Sequence, residues 1–454
     1  MVICHALTGS ADVSDWWGPL LGGLGRAFDI ARFYVVCVNS MGSPYGTASP
    51  VTYKAGDPSQ GRYGPEFPLT TIRDDVNLHK LLLDDLGIRQ VAVAIGGSMG
   101  GMLVLEWAYF GKEYVRAIVP IATSSQHSAW GISWGEAQRQ SIYSDPKYDD
   151  GYYSFDDPPS TGLGAARMSA LLTYRSRNSF EARFGRNAPD PSRQQTIHEN
   201  QQPSRPSTPS EGHWAVHNDG HKSAKAARPS SIDGQPQPLP SSSSSSTPQA
   251  AADPQFSSAA QPPTTPSPAT TRAALPAPPF SAQSYLRYQG TKFVHRFDSN
   301  CYIAITRKLD THDVSRGRAP STSATPVSDA LGQISQPTLV IGIESDGLFT
   351  FAEQQALADG IPDARLRTID SPEGHDAFLL QFEQVNAHIL AFLHEVLPDI
   401  MERSPLPLPL SLGGTSTAAQ GMDGEEAVEG RLGVGSAQQN SLFGEAEVGD
   451  LTAW

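Results

Sequence analysis

The 454-residue chain holds only three cysteines, Cys4, Cys37 and Cys301. They lie far apart and no pair has a C-x-x-C spacing, which argues against a disulfide framework and against a cysteine-based metal site. The scarcity fits a reducing compartment, so a cytoplasmic location is expected, with no bound metal or cofactor. Basic residues are also in short supply: 33 Lys and Arg against 47 Asp and Glu leave a formal net charge of −14. A phosphate backbone is repelled by such a balance, so a nucleic-acid partner is not expected, whereas a small anion held by a few local arginines remains compatible with it. No apolar run approaches the length of a membrane span, so a membrane partner is not expected either. The segment from Met1 to Trp17 lacks a basic start, and its apolar run is broken by His5 and Thr8, unlike a secretory signal. It reads as part of a folded core.

What is present falls into distinct composition regimes. Residues 1–186 have globular character. Residues 187–283 are rich in Ser, Pro, Gln and Ala and include the run SSSSSSTPQ at 241–249. With so few aliphatic side chains, that stretch buries too little apolar surface to offset its chain entropy, and it is expected to be a disordered insertion. Globular character returns at Ser284 and runs to Glu402, after which the Gly-, Ser-, Glu- and Ala-rich tail 403–454 is expected to be disordered too. The remainder, roughly 300 residues, suits one enzyme domain with a lid.

Apolar runs alternate with helical patterns. Tyr34–Asn39, Gln90–Ile95, Val115–Ala122, Thr338–Ile343 and Arg365–Ile369 read as strands. Thr70–Leu86 has apolar residues near helical spacing and Gly87 placed to end it, Met99–Phe110 reads as an apolar helix, and Gln384–Val396 as an amphipathic one. This alternation predicts an α/β fold, a mostly parallel sheet with helices on both faces.

Gly96-Gly-Ser-Met-Gly100 fits G-x-S-x-G, the pattern of a nucleophilic serine on a sharp strand-to-helix turn. The pattern alone is weak in a chain with 41 glycines. Its setting, a strand run before and an apolar helix after, favours Ser98 as nucleophile over a structural serine in a glycine-rich turn. The turn would also present the Met99 N–H at a helix start, where it can stabilise an oxyanion. In this fold the acid and then the base follow the nucleophile in chain order. Three histidines lie beyond the last strand runs, and His388 and His394 fall inside a helix. His375, in the loop Ser371–Phe378, is the expected base. The acid should follow a strand, which leaves Asp346, with Glu344 second and a local helix-capping role as the plain alternative for Asp346. Such a carboxylate fixes the histidine tautomer and stabilises the imidazolium.

Three motifs together, Cys4-His-Ala-Leu-Thr-Gly-Ser10 with Asp15-Trp-Trp-Gly-Pro19, Gly96-Gly-Ser-Met-Gly-Gly-Met102 and Glu373-Gly-His-Asp-Ala-Phe378, resemble homoserine O-acetyltransferase, an α/β-hydrolase-fold family. The resemblance covers about 1–186 and 284–402, and the long Ser/Pro-rich insertion is similar to that of fungal members. It implies a hydrolase core of residues 1–124 and 334–402, a helical lid of 125–186 and 284–333, and a homodimer formed through that lid. It implies acetyl-CoA as co-substrate and L-homoserine as acceptor, joined by a ping-pong reaction through acetyl-Ser98 in methionine biosynthesis. It places the second oxyanion donor at the Leu7 N–H, the acceptor carboxylate on Arg167, and the acceptor amino group or hydroxyl on Asp376, with Tyr174 beside them. Trp130 and Trp134, four residues apart in the lid, read as core before dimer contacts. The family pattern has a segment ahead of the HALTGS strand that supplies the first strands of its sheet, so a sheet with an unpaired edge is expected here.

Three other readings stay open. L-serine or deacetylcephalosporin C could replace the acceptor, or succinyl-CoA the donor. Water could replace the acceptor altogether, making an esterase. A non-catalytic scaffold is the third, against which the intact triad speaks.

Overall fold

The computed structural model describes residues 1–188, 209–221 and 280–406. Its main unit is a six-stranded, wholly parallel sheet in the order β4-β1-β5-β6-β7-β8. The strands are β1 (Val2–Cys4), β4 (Val36–Cys37), β5 (Ala94–Gly97), β6 (Ile118–Ile121), β7 (Thr338–Ile343) and β8 (Ala364–Ile369); the short β2 (Leu21–Gly22) and β3 (Phe28–Asp29) pair separately. Successive side chains along a strand enter opposite apolar layers. Val2, Ala94, Ile118 and Val340 join one layer with Leu103 and Trp107, while Ile3, Ile95, Val119 and Ile341 join the other with Trp17 and Phe378. Burial on both faces is why these strands read as continuous apolar runs.

The expected strands are present: β7 matches its run, β8 begins one residue earlier at Ala364, and β4, β5 and β6 are shorter than their runs. Of Tyr34–Asn39 only β4 pairs, because its one neighbour, β1, is just three residues long, and Tyr34 is 71% exposed. The expected edge therefore falls at β4, while β1 lies inside the sheet between β4 and β5. Before β5, the predicted run Gln90–Ile95 makes a single bridge, Val91 to Val115.

Helix α1 (Val13–Trp17) precedes α2 (Ile72–Asp85), which starts at a Thr71–Asp74 capping box and ends before Gly87, whose φ of +76° suits a residue without a Cβ. Every residue of α3 (Met99–Ala108) is buried, so no polar face was there to read. The lid comprises α4 (Ala129–Tyr143), α5 (Ser160–Tyr174) and α6 (Arg177–Arg183), then α8 (Ser281–Val294) and α9 (Ser299–Asp310), after the intervening α7 (Pro209–His217). Glycines bring α5 and α8 together: a Cβ on Gly290 would lie 3.0 Å from the Gly164 carbonyl oxygen. Beyond the lid come α10 (Pro326–Leu331), α11 (Phe351–Gly360), α12 (Ala377–Leu380), α13 (Phe382–Val396) and α14 (Pro398–Met401).

A buried ion pair ties the lid to the core. Lys308 on α9 donates to Asp75 on α2 at 2.6 and 2.7 Å and to the Met41 carbonyl at 2.7 Å, and both charged side chains are fully buried. Burial pushes the Asp75 carboxyl up and the Lys308 ammonium down, and each partner's charge opposes that shift.

The expected disordered stretch 187–283 needs correction at two places. Residues Pro209–His217 form α7, in a separate unit spanning 198–278, and α8 begins at Ser281, ahead of the predicted return at Ser284. Where the insertion leaves the main unit, the Ser281 N–H donates to the Asn187 carbonyl at 2.8 Å. The rest of that stretch, and the tail beyond residue 406, lie outside the described residues. Among the described residues no helix is long and apolar enough to cross a membrane.

Candidate active site

Ser98 stands between β5 and α3 with φ 58° and ψ −125°, a conformation that costs a non-glycine residue about 1–3 kcal/mol and persists where surrounding bonds enforce it. Those bonds are present. The Ser98 N–H donates to the Ile121 carbonyl at 3.0 Å, and its own carbonyl accepts from the Thr123 hydroxyl at 2.8 Å. The flanking glycines are steric requirements. A Cβ on Gly96 would lie 2.5 Å from the Gly100 oxygen, and one on Gly100 would lie 2.1 Å from the Cys4 oxygen. The spacing of G-x-S-x-G is thus the spacing that lets α3 start directly against β1.

His375 follows β8 in the loop before α12, and its Nδ1 is 2.7 Å from Asp346 Oδ2. Asp346 follows β7 and is buried, whereas Glu344 is exposed. The helix-capping alternative for Asp346 does not hold, since Thr350 caps α11; Asp346 Oδ1 instead accepts the Leu348 and Phe349 N–H groups of the intervening turn at 2.8 and 3.0 Å, while Oδ2 faces the histidine. Phe349 and Phe378 pack on the imidazole with ring centres 5.3 and 5.4 Å away. Burial alone would lower the His375 pKa, but the charge and hydrogen bond of Asp346, with the charge of Asp376, outweigh it and hold the pKa above its ordinary value.

Ser98, His375, Leu7, Arg167, Tyr174 and Asp376 all line one cavity of about 980 Å³, a figure that includes its open mouth. Met99 is wholly buried as the first residue of α3, where a backbone N–H is free of intrahelical partners. The loop bearing Leu7 is held by buried His5. Its Nε2 lies 3.0 Å from the Ser40 N–H, so it must accept, which fixes the neutral tautomer with Nδ1–H donating to the Ala6 carbonyl at 2.8 Å. Burial pushes the His5 pKa down to about 4, in keeping with that neutral ring.

On α5, buried Arg167 stacks its guanidinium 4.9 Å from the Phe293 ring centre and 5.5 Å from that of Tyr174, one helical face as the seven-residue spacing predicts. Sequence reasoning missed Arg175 just beyond. It is buried, ion-paired to Glu373, 3.9 Å from Asp376 Oδ2, and its Nε donates to Ser179 Oγ at 3.2 Å. Gly374, at φ +80°, lets the loops touch, since a Cβ there would lie 2.4 Å from the Ser176 nitrogen. The end of α5 is thereby pinned to the loop that carries His375. Tyr285 was missed as well; burial, aided by the Asp376 charge, pushes its hydroxyl up to about 12. The core reading of the lid tryptophans is corrected: Trp130 is 57% exposed and Trp134 lines the cavity.

A strained serine and a buried carboxylate-bound imidazole on one cavity can carry out acyl transfer through an ester on Ser98. A family model described as alpha/beta hydrolase fold matches residues 1–218. Homoserine O-acetyltransferase from Emericella nidulans is 64% identical over the whole chain and 87% of its own length. The enzymes of the same name from Schizosaccharomyces pombe and Saccharomyces cerevisiae are 53% and 50% identical, again over the whole chain and 86% of theirs. Among solved structures, homoserine O-acetyltransferase from Bacillus anthracis superposes with a TM-score of 0.61 at 16% identity, covering 86% of this chain and 87% of that one. Esterase E22 gives 0.60 at 22%, covering 86% and 89%. At such identities the superpositions speak for the fold alone. The identities to the fungal enzymes say more: the chain belongs to the homoserine O-acetyltransferase family, acyltransferases built on the α/β-hydrolase fold.

Proposed function

We propose that this acyltransferase moves an acetyl group from acetyl-CoA to the hydroxyl of L-homoserine, as a step of methionine biosynthesis, through an acetyl-Ser98 intermediate. The observation that carries the reading is a single cavity lined by both the Ser98–His375 pair and the charged side chains Arg167 and Asp376. His375, its Nδ1 engaged by Asp346, accepts the Ser98 proton at Nε2 as Oγ attacks the thioester carbonyl. The oxyanion rests on the Leu7 and Met99 N–H groups. Collapse breaks the C–S bond, the leaving thiolate takes the proton from His375, and the acetyl group stays on Ser98.

Homoserine then enters with its carboxylate on Arg167, whose planar fork suits two oxygens, and its ammonium on Asp376. His375 removes the hydroxyl proton, the oxygen attacks the ester, and collapse returns the proton to Ser98. Tyr174 closes the acceptor side between Arg167 and His375, its ring 6.3 Å from the imidazole. The Arg175 clamp keeps α5 and the His375 loop in register, so acceptor and base are positioned by one unit.

Intact-protein mass spectrometry after brief exposure to acetyl-CoA tests the reading. The expected result is one acetyl group on the Ser98 peptide, discharged quickly by L-homoserine and slowly by water. Equal discharge by water would make the protein an esterase, faster discharge by L-serine would change the acceptor, and acetylation of Ser98→Ala would refute the nucleophile.

A further inference from the structure

The turn that carries Leu7 is held from the lid as well as from the core. It closes through the Gly9 N–H, which donates to the Ala6 carbonyl at 3.0 Å, so Leu7 and Thr8 are its corners. The Thr8 carbonyl accepts from Arg296 Nη1 at 3.2 Å. Arg296 stands between the lid helices, two residues past the end of α8 and ahead of α9. Tyr45 holds it in turn: the Tyr45 hydroxyl accepts from Nη1 at 2.9 Å and donates to the Arg296 carbonyl at 3.0 Å.

These bonds run in one direction. In a trans peptide unit the C=O and the N–H point opposite ways, and no peptide bond among the described residues is cis. The Thr8 oxygen faces Arg296, so the N–H of the same unit, on Gly9, faces away from it and meets the Ala6 oxygen. The Ala6 oxygen belongs to the unit whose N–H is that of Leu7. Fixing that oxygen, by Gly9 and by His5 Nδ1 at 2.8 Å, aims the Leu7 N–H the other way. Ala6, Leu7 and Thr8 line the cavity that holds Ser98. Arg296 is a permanent cation at the far end of two aligned peptide dipoles. It polarises both units and makes the last N–H a stronger donor.

We propose that Arg296 is a positioning residue for the oxyanion hole, orienting and polarising the Leu7 N–H through the Thr8–Gly9 and Ala6–Leu7 peptide units. It touches no reacting atom. Acylation of Ser98 thereby depends on a residue of the lid, and a displaced lid leaves the nucleophile with a weakened hole. A second route through the same side chain has to be told apart from this one. The Arg296 guanidinium lies 4.8 Å from the Phe293 ring centre, and Arg167 lies 4.9 Å from the same centre. An effect passed along that ring would reach the acceptor carboxylate instead of the oxyanion. The inference rests on the assignment of Leu7 above.

Arg296→Met keeps the apolar stem and removes the donors and the charge, and Arg296→Lys restores the charge. Tyr45→Phe is the milder variant, which frees the guanidinium without removing it, and it decides by the same readings if Arg296→Met melts early. On each full-length protein, stopped-flow mixing with p-nitrophenyl acetate reads the limiting rate of Ser98 acylation, and steady-state kinetics read the KM of acetyl-CoA and of L-homoserine. Removing an oxyanion donor outright costs about 10²–10³-fold in kcat, so a donor kept but loosened should cost about tenfold or more in Arg296→Met. The loss should be smaller in Arg296→Lys and Tyr45→Phe, with both KM values and the melting temperature near wild type. Leu7→Pro removes the N–H itself, at a turn corner that proline suits. In that background Arg296→Met should cost nothing further, because the atom it serves is gone. An Arg296→Met limiting rate within about threefold of wild type would overturn the proposal. So would a loss that persists undiminished beside Leu7→Pro, or an effect confined to the L-homoserine KM. Leu7→Pro protein that acylates like wild type would overturn the Leu7 assignment itself.

Discussion

Asp346→Asn is the substitution whose outcome the geometry fixes most tightly. Asp346 Oδ1 accepts two backbone N–H groups, from Leu348 and Phe349. In the variant the amide oxygen must keep those bonds, which turns the amide NH₂ toward His375. Facing a donor, Nδ1 becomes the acceptor, and the proton moves to Nε2. A ring protonated at Nε2 cannot take the Ser98 proton. Loss of the right tautomer in a Ser-His-Asp site costs roughly 10⁴-fold in kcat, or about 5.5 kcal/mol of barrier. The residual activity should also change its pH profile. In the wild type the base works only when neutral, so activity falls as pH drops through a His375 pKa raised above its ordinary value. Without the Asp346 charge, burial of the ring gains weight, and the acid limb of the residual activity should move to lower pH. Stopped-flow acylation by p-nitrophenyl acetate across pH reads both effects, with thermal melting as the control for folding. Residual kcat within tenfold of wild type, in a protein that melts like wild type, would refute the assignment of Asp346.

Two further outcomes follow from buried charge. Arg167→Ala should raise the homoserine KM about 10- to 100-fold, the worth of one or two hydrogen bonds to a charged group, while leaving the rate of Ser98 acetylation nearly unchanged; an unchanged acceptor KM in steady-state kinetics would remove Arg167 from the carboxylate. Lys308→Met strands Asp75 in the core and should cost about 3–5 kcal/mol, whereas adding Asp75→Leu should recover most of it. Denaturant unfolding of the single and double variants decides, and a double variant no more stable than the single one would refute the pairing argument.

How much of this was legible in the sequence depended on whether the signal was local. β7 matches its apolar run residue for residue because it pairs on both sides, with β6 and β8, and is buried throughout. Tyr34–Asn39 is equally apolar, yet only two of its residues pair, because the extent of pairing is set by its one neighbour, the three-residue β1. Ser98 was visible through the glycines that its turn demands, and His375 and Asp346 through chain order after strands. The clamp of Arg175 on Glu373 was not, since an arginine after an apolar helix looks like solvent-facing charge until the partner loop arrives from nearly two hundred residues away. The same holds for Trp134 and Asp310, which lie on separate helices and line one cavity only because α4 packs against α9. Composition alone missed α7, a single helix inside a polar stretch whose average character concealed it.

The hydrogen bond between Asn187 and Ser281 also bears on the segment that it closes. The two ends of the long Ser- and Pro-rich segment leave the folded unit from neighbouring points, already joined. Closing a longer flexible loop between joined ends costs only about 0.6 kcal/mol per doubling of its length. Replacing residues 189–279 with a few glycines and serines should therefore leave the hydrolase core and its lid intact. The junction behaves as a mounting point, closed by one backbone hydrogen bond independently of the length of chain between its two ends.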